Sequence, residues 1–264
     1  MRIMVIPDIH GRKFWRDTIS DYMDKVEKVV FLGDYLDPYP DEIVKNPELM
    51  ECKSFDDVEA LSKLLLDIIN LKKDNLNKVI LLTGNHSDSY IWKNFSAATR
   101  TDWKNWETYH NIFLENLNLF NLVYVENNTI FSHAGITEKW AKEFLLNCLE
   151  YEDLNIDIIP VTAKLLSTLI LTNISNKYIT YLGNVGFARG GYGSGSCEWA
   201  DITEHIERIT SYYPLKFEAF GDNKVFQVFG HSQLVKPLIC DKWACIDYKK
   251  GFIIDTITHE VSEC

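Results

Sequence analysis

Five short stretches of this 264-residue chain place a carboxylate, amide or imidazole directly after an apolar run. They are Asp8-Ile9-His10, Gly33-Asp34-Tyr35-Leu36-Asp37, Gly84-Asn85-His86, Ser132-His133-Ala134-Gly135 and Gly230-His231-Ser232-Gln233. An apolar run such as Val79-Ile80-Leu81-Leu82 lacks the alternation of a half-exposed strand and reads as a strand buried on both faces. Strands of that kind belong to parallel or mixed sheets covered by helices. Polar turns at their carboxyl ends meet at one edge, where open α/β sheets keep their sites.

The rest of the chain fits that plan. Residues 2–7, 28–32 and 79–83 read as strands, separated by helical patterns over 13–26 and from about 58 to 73. The first helix places Phe14, Trp15, Ile19, Tyr22, Met23 and Val26 on one face, and the second buries Val58, Leu61, Leu65, Ile68 and Ile69. Ser54-Phe55-Asp56-Asp57 resembles the N-cap of the second helix. Residues 37–53, with Pro38, Pro40 and Pro47, predict an irregular excursion near the site. Residues 89–120 are aromatic-rich and mainly helical, and 122–125 with 129–132 predict a hairpin around Asn127-Asn128. Helices are expected over 137–150, 160–174 and 201–212, and strands over 224–229, 234–239, 243–247, 251–255 and 257–262. Six glycines in 183–195 exclude a regular element there. The expected class is α/β, with residues 1–264 forming one domain.

Charge and cysteine usage narrow the partners. A net charge of −11 argues against broad nucleic-acid binding, which needs a basic surface. No apolar run reaches membrane-spanning length, and the first is only about five residues long before Pro7 and Asp8. A cytoplasmic protein is the expectation. The six cysteines include no C-x-x-C pair, which predicts reduced structural thiols rather than disulfides or a thiolate zinc site.

Carboxylate, amide oxygen and imidazole together suit divalent ions such as Mn, Fe or Zn. Taken singly, each stretch has a plainer explanation. Asp8 and His10 suit a helix cap, Gly33-Asp34 and Gly84-Asn85 suit turns, and His133 and His231 suit core histidines. Their order and strand-end placement favour one shared site. A carboxylate can bridge two metals about 3.5–4 Å apart, and such a pair suits in-line attack on phosphorus.

The five stretches, in this order and spanning residues 8 to 231, resemble the calcineurin-like metallophosphoesterase superfamily. The similarity is strongest to the branch of Ser/Thr protein phosphatases and diadenosine tetraphosphatases. The resemblance implies a sandwich of two mixed β-sheets flanked by helices. It also implies two divalent metal ions (Mn, Fe, Zn or Ni) and hydrolysis of a phosphomonoester or phosphoanhydride by a hydroxide held between them. The substrate would be a phosphorylated small molecule, a nucleotide or a phosphoprotein. By the same resemblance Asp8, His10 and Asp34 hold the first metal, and Asp34 bridges to a second completed by Asn85, His133 and His231. His86 faces the substrate as general acid or phosphoryl stabiliser, and Asp37 orients its ring.

Three departures stand out. The branch carries a phosphate-gripping Arg directly after the second acid, where this chain has Pro38. Arg189, in the glycine-rich stretch, is the expected replacement because a guanidinium fork suits phosphate oxygens, although an arginine in such a loop also suits plain solvation. Gln233 stands where other branches place a second histidine and is not counted as a ligand. The acid after GNH comes one residue late, at Asp88, and is assigned a structural role capping the next helix. The contrasting expectation is a noncatalytic, metal-containing binding module of the same fold. A structural zinc protein is disfavoured by the carboxylate-rich ligand set.

Overall fold

A computed structural model describes residues 1–93, 95, 98, 100–149, 157–204 and 225–264. The first half alternates strand and helix. It runs β1 (Arg2–Ile6), α1 (Phe14–Tyr22), β2 (Lys28–Phe31), α2 (Pro40–Lys45), α3 (Val58–Asp74), β3 (Val79–Leu82), α4 (Asn85–Ile91), α5 (Trp106–Glu115) and β4 (Phe120–Asn121). The hairpin β5 (Val123–Glu126) and β6 (Thr129–Ser132) leads to α6 (Glu138–Leu149), α7 (Ile158–Ser167) and α8 (Asn176–Leu182). The chain ends in β7 (Phe226–Phe229), β8 (Leu238–Ile239), β9 (Trp243–Cys245), β10 (Phe252–Asp255) and β11 (Val261–Glu263).

Two mixed sheets result. The first has the order β11-β10-β1-β2-β3-β4, with β1 to β4 parallel and β10 antiparallel to β1. The second has the order β5-β6-β7-β9-β8, with β6, β7 and β9 parallel. The absence of alternation in the strand sequences now has its physical reason. Ile3, Val5, Val30, Leu32, Ile80 and Leu82 face Phe131, Phe226, Val228 and Ala244 across the sandwich. The intervening Met4, Ile6, Val29, Phe31, Val79 and Leu81 pack with Trp15, Leu61, Leu65 and Ile68 of the helices. Truncating one such fully buried residue, Leu65→Ala for example, costs about 2–5 kcal/mol.

The local expectations differ in places. The 37–53 excursion contains α2 and a 3-10 turn at Pro47–Leu49, because Pro40 and Pro47 sit in first turns, where proline starts a helix. Asp57 is the cap of α3, its carboxylate accepting from Ala60 N–H at 3.3 Å. The helix expected over 160–174 starts earlier and stops at Ser167. The unanticipated α8 is capped by Ser175. Of the helix expected over 201–212, residues 205–212 lie outside the described residues, as does position 224 of the next strand. All six cysteines are free thiols. Among the described residues no helix is long and apolar enough to cross a membrane.

Candidate metal centre and its substrate side

The parallel strands of both sheets deliver the five stretches to one place. β1 leads into Asp8 and His10, β2 into Asp34 and Asp37, β3 into Asn85 and His86, β6 into His133, and β7 into His231. The backbone there is bent hard. His10, Asp34, Asp37 and His231 have φ of 44°, 48°, 59° and 65°, a region that costs a non-glycine residue free energy and clusters at functional sites. Two glycines of the motifs make room for ligands. A Cβ at Gly84 would lie 2.4 Å from Asp34 Oδ1, and one at Gly230 would lie 2.2 Å from Asp8 Oδ1.

Hydrogen bonds to backbone carbonyls set the ring tautomers. His10 Nδ1 donates to Leu36 O at 2.9 Å, and His133 Nδ1 donates to Leu32 O at 2.9 Å. Each ring therefore turns Nε2 inward, 3.6 Å from Asp34 Oδ2 for His10 and 3.4 Å for His133. Asp34 Oδ1 accepts the backbone N–H of His86 at 3.0 Å. Oδ2 is buried and accepts no hydrogen bond. His133 Nε2 also lies 3.0 Å from Asn85 Oδ1 and 3.1 Å from His231 Nδ1.

Among the described residues two groups converge closely enough to hold a cation, His10 with Asp34 and His86, and Asp34 with His133 and His231. Within each group the ligand atoms lie within 4.8 Å of one another, and Asp34 belongs to both. Asp8 is in neither, and its oxygens accept the His231 N–H at 3.2 and 3.1 Å. His86 appears in the first group although the resemblance turns it toward substrate, and its Nδ1 is engaged with Asp37 Oδ2 at 2.6 Å.

The charge balance asks for cations. Asp8, Asp34, Asp88, Glu198 and Asp247 are all between 0% and 4% exposed, too deep for water to screen. Burial raises the pKa of Asp8, Asp88 and Asp247, and it lifts Glu198 to about 7. Burial opposes a charge on His133, yet Asp34, Asp8 and Glu198 outweigh it and raise that ring to about 9. On His10 burial prevails, aided by the nearby His86, and holds the ring well below its usual value, so its Nε2 is open to accept a cation. An unaccepting carboxylate oxygen between two inward imidazole nitrogens, in a surplus of buried acids, fits divalent cations.

The substrate side is built differently. Asp37 is buried and also accepts the Tyr90 hydroxyl, whose oxygen accepts Asp102 N–H at 2.7 Å. Burial raises the Asp37 pKa, while the bonds from His86 and Tyr90 hold it down. Arg100 reaches the same place: its Nη2 is 3.5 Å from His86 Nε2 and its Nε donates to Asp37 O at 3.2 Å. Its guanidinium lies over the Tyr39 ring, 3.6 Å from the centroid. Arg189 stands on the His231 side, with Nε on Asp201 Oδ2 at 2.7 Å and Nη2 donating to His231 O at 3.2 Å. Gln233 points away and donates to Glu42 at 3.3 Å. Asp88 lies inside α4 with its carboxyl fully buried, rather than at a cap.

Arg100, Tyr90, Glu198 and Asp247 are not singled out by the sequence. Tyr90 and Arg100 sit in an aromatic-rich stretch that reads as packing, and Glu198 and Asp247 belong to none of the five stretches. Asp247 was detectable in part: it is the last residue of the strand expected over 243–247, which ends at Cys245 in the structure, and Cys245 pairs with Phe229 just ahead of Gly230-His231.

Strand-end carboxylates and imidazoles at the edge of a helix-flanked, two-sheet sandwich define the metallophosphoesterase class. The description calcineurin-like phosphoesterase matches residues 1–233, and the chain belongs to that family. The fold is similar to a cold-active protein-tyrosine phosphatase of a psychrophilic Shewanella, with a TM-score of 0.54 and 14% identity over 99% of this chain and 80% of that one. It is also similar to a protein serine/threonine phosphatase from Saccharomyces cerevisiae, with a TM-score of 0.50 and 13% identity over 100% of this chain and 79% of that one. Identities this low show a shared fold alone. No curated protein matches the chain by sequence.

Proposed function

We propose that this chain, a metal-dependent phosphoesterase by family, hydrolyses a phosphomonoester or phosphoanhydride at a two-cation centre without a covalent phosphoenzyme. The observation that carries this is Asp34 Oδ2, buried, accepting no hydrogen bond, and 3.6 and 3.4 Å from two imidazole nitrogens. Asp8, His10 and Asp34 would hold one cation, and Asp34, Asn85, His133 and His231 the other. A cation pair there supplies positive charge to the phosphoryl oxygens and acidifies the attacking water.

The remaining work falls to the chain's own side chains. His86, its Nδ1 fixed by Asp37, presents Nε2 toward the substrate and delivers a proton to the leaving oxygen. Asp37 keeps the ring's tautomer and direction, and Tyr90 keeps Asp37 in place. Arg189 steadies the His231 loop and contacts the substrate from that side. The fold shared with chains named as protein phosphatases supports phosphoproteins among the substrates, beside dinucleoside polyphosphates and small phosphorylated metabolites.

The test is turnover by chelator-stripped protein with Mn, Fe, Zn, Ni or Mg restored singly, on an aryl phosphate, a phosphopeptide and a dinucleoside tetraphosphate. Metal-restored hydrolysis of one substrate group is the expected result. Cation binding with no turnover of any substrate would replace this proposal with the noncatalytic binding module.

A further inference from the structure

The chain lacks a cation directly after Asp37, where Pro38 stands, yet the phosphoryl group of the proposed reaction brings negative charge to that side of the site. We infer that Arg100, seated on the Tyr39 ring, is the residue that grips the substrate phosphoryl group. This rests on the phosphoesterase reading of the same site.

The first support is position. Arg100 Nη2 lies 3.5 Å from His86 Nε2, the ring atom turned away from Asp37. Arginine offers donors only, in a planar fork. With Nε held by Asp37 O, the Nη groups lie beside the His86 ring, on the side away from Asp37. A fork placed there is a match for two oxygens of one phosphoryl group.

The second support is anchoring. The Arg100 Nε is committed to Asp37 O, and the guanidinium plane rests 3.6 Å above Tyr39. Tyr39 is itself edge-on to His10, ring centres 5.1 Å apart, so the platform is tied to the metal side. The loop that carries Arg100 is fastened to α4, the helix that begins with Asn85 and His86. Ala98 N–H donates to Ser89 Oγ at 3.0 Å, Trp106 Nε1 donates to Ser89 O at 2.9 Å, and Asp102 N–H reaches Tyr90. Cation, platform and proton donor are thereby held in one frame, which lowers the ordering cost of binding an anion.

Arg189 differs on both counts. Its guanidinium is engaged by Asp201 and by the His231 carbonyl, on the far side of the centre. The anion should therefore depend more on Arg100 than on Arg189.

The experiment compares Arg100→Ala, Arg100→Lys, Tyr39→Ala and Arg189→Ala in the metal-loaded protein, with three readouts. They are inorganic phosphate affinity by calorimetry, kcat and KM on an aryl phosphate, and bound metal. Arg100→Ala is expected to weaken phosphate binding about 10- to 100-fold, the loss of one charge-assisted contact to an anion. KM should rise at unchanged metal content, and added guanidinium ion should recover part of the loss. Arg100→Lys should recover little, because an ammonium does not stack on Tyr39 or reach two oxygens at once. Tyr39→Ala should act in the same direction and more weakly. If phosphate affinity and kcat/KM of Arg100→Ala stay within about twofold of the parent, or fall less than in Arg189→Ala, the assignment is wrong. A parent that binds metal and turns nothing over defeats the phosphoesterase proposal instead, and the phosphate-binding arm still decides the role of Arg100.

Discussion

The two halves of the site are made from different material. The proposed metal side consists of residues one to four positions beyond a strand end, braced by contacts such as His133 Nδ1 to Leu32 O. The proposed substrate side, apart from Asp37 and the α4 residues His86 and Tyr90, consists of residues outside the strands and α-helices: Tyr39 before α2, Arg100 between α4 and α5, and Arg189 at the end of a 3-10 turn in the glycine-rich stretch. Ligand geometry tolerates errors of only a few tenths of an ångström, and strand ends supply that rigidity. Recognition can be re-aimed by changing loops while the centre stays put.

This contrast breaks most decisively at Asp34. Asp34→Asn should lower the bound-metal content measured by elemental analysis and remove activity more completely than any substitution on the substrate side. If the variant retains both cations and turnover, the shared-ligand geometry does not describe the centre. Next in size is His86→Ala, which should keep its metal and lose about 10²–10⁴-fold in kcat on esters with poor leaving groups. On an aryl phosphate, whose leaving oxygen needs little protonation, the loss should be smaller. Equal losses on both esters would remove His86 from the general-acid role.

The dependence of stability on pH sharpens the comparison further. His133 has a folded pKa of about 9, above its ordinary 6.5, so in metal-free protein its contribution is fully present below about 6.5 and is lost as pH rises through 9. The change is at most about 3 kcal/mol. A cation bound at Nε2 would take the place of that proton, so the folded form no longer titrates there and the fall between about 6.5 and 9 disappears. Melting curves from pH 6 to 9.5 with and without cation should therefore diverge, and parallel curves would show that His133 is not a ligand. The smallest effect is expected at Tyr90→Phe, which removes one hydrogen bond to Asp37. It should lower kcat about 3- to 10-fold with KM and metal content unchanged, and a loss expressed in KM would place Tyr90 with the substrate contacts.

Legibility follows the same division. The strand–helix alternation of residues 2–83 and the two-sided burial of Val79–Leu82 were readable from period, which the sequence displays directly, whereas the sheet order and the partners of Ile3, Val5, Val30 and Leu32 were not. Asp8, His10, Asp34, Asn85, His133 and His231 could be picked out because each stands at a fixed short distance from an apolar run. Arg100 could not. It reaches the site through an aromatic stack and a loop anchored to α4, and neither leaves a spacing. Pro40 and Pro47 were misleading for a related reason, since a proline that ends one element and a proline that begins one look alike without neighbours. Arg189 was noticed for its glycine surroundings, yet its bonds to Asp201 and to the His231 carbonyl depend on the path of the loop.

The five buried acids have a consequence for how much folded protein exists at all. The folded chain gathers these carboxylates into one dry volume, whereas the unfolded chain scatters them, so cations bind the folded form in preference. Free cation at about 100 times its dissociation constant then adds about 2.7 kcal/mol to the folding equilibrium. Chain turnover becomes tied to the chemical potential of the metal. A supply too low to load the centre would thin the population of the protein, through quality control, as well as silence its chemistry.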